Sequence, residues 1–179
     1  MINYKKYFEG KRITKQGFGV LGRGYGVVRF LLESGAKVLV TDTKPVDTFA
    51  AQVADLENFC IEKGVDTNNL TYRFGEHALE DFENCDYLIA ASGVPKDSVY
   101  LNHAKAKGVK VYQESSLFAE IVRDFNNSIL EKSLEKNILQ NPETIKIIGI
   151  TGTRAKTTTT FLIKAILDEF VEGLTPNSS

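Results

Sequence analysis

The stretch 147–160, IIGITGTRAKTTTT, limits the possible folds more than any other part of the chain. An apolar run leads into a glycine-containing turn, then a lysine, then threonines suited to open a helix. Strand, turn and helix in that order make a phosphate-binding loop: N–H groups of the turn and helix start surround an anion, and a lysine neutralises its charge. Lys156 takes that role, and Thr157 directly after it is set to hold Mg²⁺ through its hydroxyl. The match to G-x-x-x-x-G-K-[ST] is incomplete. Ala155 stands where the last glycine is expected and Ile150 where the first is, and a methyl group at 155 is an obstacle to positive φ or close phosphate approach. A polar helix start would also account for the threonines, which are favoured caps, but a cap does not require the lysine. Too little sequence follows Lys156 to supply the further strands and acidic metal ligands of a complete nucleotide-hydrolysing domain. Such a domain is therefore expected to be truncated here, leaving this chain inactive on its own.

With 179 residues, 42% hydrophobic and 25% charged, the chain can bury one core of ordinary domain size with a remainder. A formal net charge of −1 without a basic block argues against a nucleic-acid partner. The apolar runs at 38–40 and 147–150 fall far short of the roughly 20 residues that span a bilayer. MINYKKYFEGKR has no apolar segment after its positive charges, unlike a signal peptide. The expectation is a cytoplasmic monomer without a membrane partner. Cys60 and Cys85 are isolated in sequence and read as reduced thiols.

Short β-rich runs alternate with helical stretches, the pattern of a parallel sheet covered by helices. Strands are expected at 13–20, 37–41, 70–74, 86–91, 110–112 and 145–150, and helices at 26–34, 46–63, 97–107 and 115–121. The polar segment 126–144, Asn-rich and carrying Pro142, reads as a linker between a domain at 1–125 and the start of another at 145–179.

A second glycine cluster, Gly17-Phe18-Gly19-Val20-Leu21-Gly22, matches G-x-G-x-x-G, and the next strand ends in Asp42. In a βαβ unit that spacing, roughly 20 residues from the last glycine to the acid, sets a glycine turn against a ligand's phosphates or sugar and a carboxylate near its hydroxyl or N–H groups. Asp42 could equally finish its strand by bonding to turn amides. Lys15 and Gln16 are anomalous, since they fall where a central parallel strand should be apolar. His77 and His103 lack a clustered carboxylate or cysteine in sequence and read as packing or surface residues.

Taken together, the glycine turn, TDTK, a strand running into ASGVP, ESSLFAEI and ITGTRAKTTTT, in this order, resemble the Mur ligases of peptidoglycan synthesis. The resemblance covers nearly the whole chain but only the N-terminal portion of such an enzyme, and within the family TDTK and SLF point to the D-glutamate-adding member. It implies an α/β fold: a Rossmann-like, mostly parallel sheet with helices on both faces that binds the UDP-sugar substrate. The first strand, phosphate loop and helix of an incomplete P-loop ATPase domain would come next.

By this resemblance the uridine-binding turn falls on Gly17, Gly19, Val20, Leu21 and Gly22. Asp42 and Thr43 would meet the uracil, Lys44 stands where the family has Arg, and Ser92 and Gly93 match a Ser-Pro-Gly-Ile loop without its proline. ATP binding would fall on Gly152, Thr153, Arg154, Ala155, Lys156, Thr157 and Thr158. Lys156 would stabilise the transferred phosphoryl group and Thr157 would bind Mg²⁺. The implied chemistry is phosphorylation of the carboxylate of UDP-N-acetylmuramoyl-L-alanine by ATP, then amide formation with D-glutamate. Two other readings stay open: a non-catalytic UDP-sugar-binding module, and a Rossmann-type NAD-binding domain suggested by G-x-G-x-x-G and Asp42 alone.

Overall fold

The computed structural model describes residues 3–20, 22–135, 144–150 and 156–168. The chain divides into two compact units, Met1–Ser128 and Ile129–Ser179. In the first, five strands form one parallel sheet: β1 (Arg12–Gln16), β2 (Lys37–Asp42), β3 (Leu70–Phe74), β4 (Tyr87–Ala90) and β5 (Lys110–Gln113). Their spatial order is β3-β2-β1-β4-β5. This is the α/β, Rossmann-like arrangement that the alternation of elements predicts. Strand order reverses beside β1, so the connections after β1 and β4 diverge and open a crevice at the carboxyl ends of these two strands.

The helices are α1 (Lys5–Phe8), α2 (Arg23–Glu33), α3 (Ala50–Lys63), α4 (Val99–Ala106), α5 (Glu114–Glu135) and α6 (Lys156–Asp168). Successive side chains of a strand face opposite sides of a sheet, and β4 shows which helices cover which side. Ile89 joins Ile13, Val38 and Val40 in a core completed by Val28 and Leu31 of α2, Leu56 and Phe59 of α3 and Ile121 of α5. Leu88 and Ala90 point the other way, into a smaller core with Phe82 and with Leu101 and Ala104 of α4. Each fully buried Val, Leu or Phe contributes about 1.5–3 kcal/mol, so a few side chains per helix suffice to fix its face. Gly64, at φ 64°, ends α3 in the left-handed conformation while its N–H bonds the carbonyls of Cys60 and Ile61.

Several expected boundaries move. β1 stops at Gln16, short of 20, because Gly17 at φ +81° turns the chain out of the sheet. The expected helix 46–63 begins as a 3-10 turn, Val46–Phe49, before α3. The short α1 and the 3-10 turns Thr67–Asn69 and Leu79–Phe82 are too brief to show a periodicity in sequence. Residues 126–135, read as the start of a linker, continue α5, which runs for 22 residues; residues 136–143 lie outside the described residues.

The strand expected at 145–150 does not form: residues 144–150 carry no regular secondary structure. A strand needs a neighbour for its N–H and C=O groups, and no described strand pairs with this segment. Ile147 and Ile148 are correspondingly 50% and 62% exposed. In the same unit α6 buries none of its side chains, and Phe161, Leu162 and Ile166 are exposed.

Candidate functional site

The glycine turn leaves β1 at the centre of the carboxyl edge. Gly17 donates its N–H to Thr41 O at 2.8 Å, and a Cβ here would sit 2.8 Å from that of Ala91. That is closer than real Cβ contacts come, so the position tolerates only hydrogen. Phe18 then plunges into the core, fully buried against Phe49 (ring centroids 5.4 Å apart) and Phe74 (6.1 Å). Gly19 at φ +73° returns the chain to the surface, Val20 is half exposed, and Gly22 at φ +78° precedes α2. The glycine that permits close packing lies further on than the motif suggests. At Gly24 a Cβ would fall 2.2 Å from the carbonyl oxygen of Phe18, so α2 can pass the turn only without a side chain there. Leu21 lies outside the described residues.

Asp42, at the end of β2, bonds to that turn with one carboxylate oxygen and to its own following segment with the other. Oδ2 accepts from the N–H of Phe18 at 2.9 Å and of Gly19 at 3.3 Å, while Oδ1 accepts from Lys44 N–H at 3.0 Å. Three of roughly four lone-pair directions are thereby used, leaving room for about one further donor. Thr43 and Lys44 come next, both exposed. Across the crevice, Val94 N–H bonds Ala91 O at 3.0 Å, closing a tight turn that presents Ser92 and Gly93 to solvent after β4. The fold thus brings the described part of the glycine turn, Asp42, Thr43, Lys44, Ser92 and Gly93 to one edge.

Two further groups at this edge carry weight that their sequence did not assign them. Lys15 is fully buried, and its ammonium donates to Gln16 O at 3.1 Å and Gly17 O at 2.7 Å and pairs with Glu114 Oε1 at 3.1 Å. Burial pushes the Lys15 ammonium below the usual lysine range, while Glu114 pulls it back up. The polar pair Lys15-Gln16, where a central parallel strand is expected to be apolar, was the sequence signal for this arrangement. The second is His77, whose Nδ1 lies 2.7 Å from Thr41 Oγ1 and whose ring packs edge-on against Phe82 and Tyr100. Burial lowers its basicity, with Asp42 and Asp81 acting in the opposite sense.

Of the phosphate loop, Gly152, Thr153, Arg154 and Ala155 lie outside the described residues. Lys156, Thr157 and Thr158 form the first turn of α6, which contains no acidic residue. Its positive dipole end is therefore uncompensated within that turn, which fits an anion held by Lys156 and a hydroxyl at 157. Thr160 Oγ1 donates back to Lys156 O at 2.9 Å, a structural use of that threonine. Among the described residues no group of three or more His, Cys, Asp or Glu is arranged to hold a metal ion.

A cavity of about 380 Å³ opens at the opposite, amino edge of the sheet, lined in part by Lys11, Glu83, Asp86 and Lys107. Both of its carboxylates have cationic or imidazole neighbours: Lys107 and His103 reach Glu83 at 2.8 and 3.0 Å, and Lys11 reaches Asp86 at 4.0 Å, while Lys110 also lines the cavity. The hydrogen bonds from Lys107 and His103 hold the Glu83 carboxyl below the usual range. Contacts of this kind staple the loops at this edge together.

Three curated proteins illustrate the sequence similarity. The UDP-N-acetylmuramoylalanine–D-glutamate ligase of Roseiflexus sp. (strain RS-1) is 32% identical over 160 residues, 89% of this chain and 28% of that protein. Those of Borreliella burgdorferi (strain ZS7) and Ligilactobacillus salivarius (strain UCC118) are each 30% identical, over 158 and 162 residues, or 88% and 90% of this chain. The chain is a relative of the Mur ligases. It spans about 28% of the length of these relatives and matches an N-terminal portion of them. No family model matches it. With about nine-tenths of the chain aligned, the Mur-ligase similarity extends well beyond the strands and loops that form the carboxyl-edge crevice.

Proposed function

We propose that the unit Met1–Ser128 binds the UDP-sugar substrate of a MurD-type ligase, UDP-N-acetylmuramoyl-L-alanine, at the carboxyl edge of β1, β2 and β4. One observation carries the reading: the glycine turn, the Asp42 segment and the Ser92–Gly93 turn, separate in sequence, converge on the crevice where strand order reverses. Gly17, Gly19, Val20, Leu21 and Gly22 would face the uridine portion. Asp42 keeps about one lone-pair direction for a ligand N–H, and Thr43 adds a hydroxyl beside it. Lys44 offers a point charge to phosphate where a guanidinium would offer a fork. Ser92 and Gly93 would approach from the other wall.

Lys156 and Thr157 would hold ATP phosphates and Mg²⁺ at the start of α6, with Gly152, Thr153, Arg154, Ala155 and Thr158 around them. ATP would supply the phosphoryl group that activates the substrate carboxylate towards D-glutamate. Lys156 would spread the negative charge that builds on that group. We assign the full ligation to a polypeptide carrying the remaining length of such a ligase, and binding without turnover to these 179 residues. A cytoplasmic monomer agrees with this role; among the described residues no helix is long and apolar enough to cross a membrane.

Calorimetric titration tests the reading with three ligands: UDP-N-acetylmuramoyl-L-alanine, NADH and Mg·ATP. Heat of binding with the UDP-sugar and none with NADH is the expected result. Binding of NADH without the UDP-sugar would replace the ligase reading with that of a dinucleotide-binding domain.

A further inference from the structure

We propose that Lys15 is a positioning residue, which with Asp42 clamps the Gly17–Phe18 peptide from opposite sides and, through Glu114, ties the ligand-bearing turn to the start of α5. The part of this that concerns affinity rests on the UDP-sugar reading above; the clamp itself does not.

Lys15 is the next-to-last residue of the central strand and shares a face with Ile13, the face covered by α2, α3 and α5. An ammonium has three donors and no acceptor. Lys15 meets three acceptors, Gln16 O, Gly17 O and Glu114 Oε1, at 3.1, 2.7 and 3.1 Å. Stability alone does not call for this arrangement. Desolvating a lysine is costly, and well-packed apolar residues often replace a buried ion pair at no loss. Strands buried on both faces are ordinarily apolar.

The charge acts on the turn. In a planar trans peptide the C=O and the following N–H point in opposite directions. The oxygen of the Gly17–Phe18 peptide accepts from Lys15 at 2.7 Å, and its N–H donates to Asp42 Oδ2 at 2.9 Å. A cation therefore holds the negative end of this peptide dipole and an anion holds the positive end. Glycine at 17 leaves the backbone free to rotate, so the two charges set the orientation that sequence leaves open. Because Glu114 is the first residue of α5, the same cation links the turn after β1 to the start of the helix after β5, and Asp42 ties that turn to the end of β2.

The test uses the full chain and the variant Lys15→Met, which keeps an unbranched side chain one atom shorter and removes its charge. Its thermal midpoint should stay within a few degrees of the parent's. Amide exchange should rise about tenfold at Phe18 and Gly19, as expected for the loss of a hydrogen bond to a charged group, and stay unchanged at Val40. UDP-N-acetylmuramoyl-L-alanine should bind about tenfold more weakly by calorimetry. If K15M alone fails to fold, K15M/E114L, which removes both charges, carries the same comparison. Faster exchange at Val40 as well as in the turn would reduce Lys15 to a general stabiliser and overturn the proposal. Unchanged exchange and affinity in a chain that binds the UDP-sugar would likewise overturn it and leave the ligand reading intact. Local exchange that rises in a chain that never binds the UDP-sugar would instead sustain the clamp and refute the ligand.

Discussion

The segments YLIA at 87–90 and IIGI at 147–150 are similarly apolar, yet only the first is a strand. Leu88 and Ile89 are fully buried, between β1 and β5 and under helices on both faces, whereas Ile147 and Ile148 are largely exposed. Apolar content confers a capacity for strand formation. The strand itself depends on neighbours that pair its backbone and cover its sides. The difference also separates two kinds of functional residue. At the carboxyl edge of the sheet, Lys15 and Asp42 are each held by three contacts; at the other site, Lys156 and Thr157 begin a helix in which no side chain is buried.

The contrast can be sharpened first at Phe18. Truncation to alanine should cost about 3–5 kcal/mol, the usual range for a buried phenylalanine, measured as a shift in the urea midpoint at unchanged slope. A loss below about 1 kcal/mol would mean that the turn is not anchored by this ring. Next in size is Asp42→Asn, which removes the charge from the hydrogen bonds to Phe18, Gly19 and Lys44. A loss of about 1.5–3 kcal/mol is expected, and the amides of Phe18 and Gly19 should exchange faster than those of β2.

A smaller effect concerns His77. Its imidazole binds a proton less readily in the folded chain than in the unfolded one, whose value lies near 6.5. As pH falls below 6.5 the unfolded chain takes up more protons, so stability should decline through this window. His77→Gln should flatten the decline between about pH 6.5 and 5; an unchanged profile would exclude His77 as its source. The smallest effect is expected at Ile148→Ser, within about 0.5 kcal/mol, as for surface substitutions generally. A large loss there would show that the second unit buries more than its exposure suggests.

The glycine turn, the parallel sheet and the five strands of the first unit were legible in sequence because each rests on local pattern: glycines at turning points, apolar runs between them, helical spacing in 46–63. Local pattern could not reveal partners. Lys15 looked like a flaw in β1 until Glu114, distant in sequence, proved to be its counter-ion. Gly24 lay outside the motif window, yet the Phe18 carbonyl presses on it more closely than anything presses on Gly22. Asp42 was legible as an important acid. Its sequence allowed both a ligand contact and a turn contact, and the hydrogen bonds to turn amides realise the second while leaving space for the first.

The central claim is that the carboxyl-edge crevice is the sugar-nucleotide site. It is tested most directly by following backbone amide resonances while UDP-N-acetylmuramoyl-L-alanine is added. The account predicts shifts concentrated at residues 17–22, 42–44 and 92–94, with the amino edge around Lys11 and Lys107 unmoved. Saturable shifts at that amino edge, with the glycine turn silent, would contradict it.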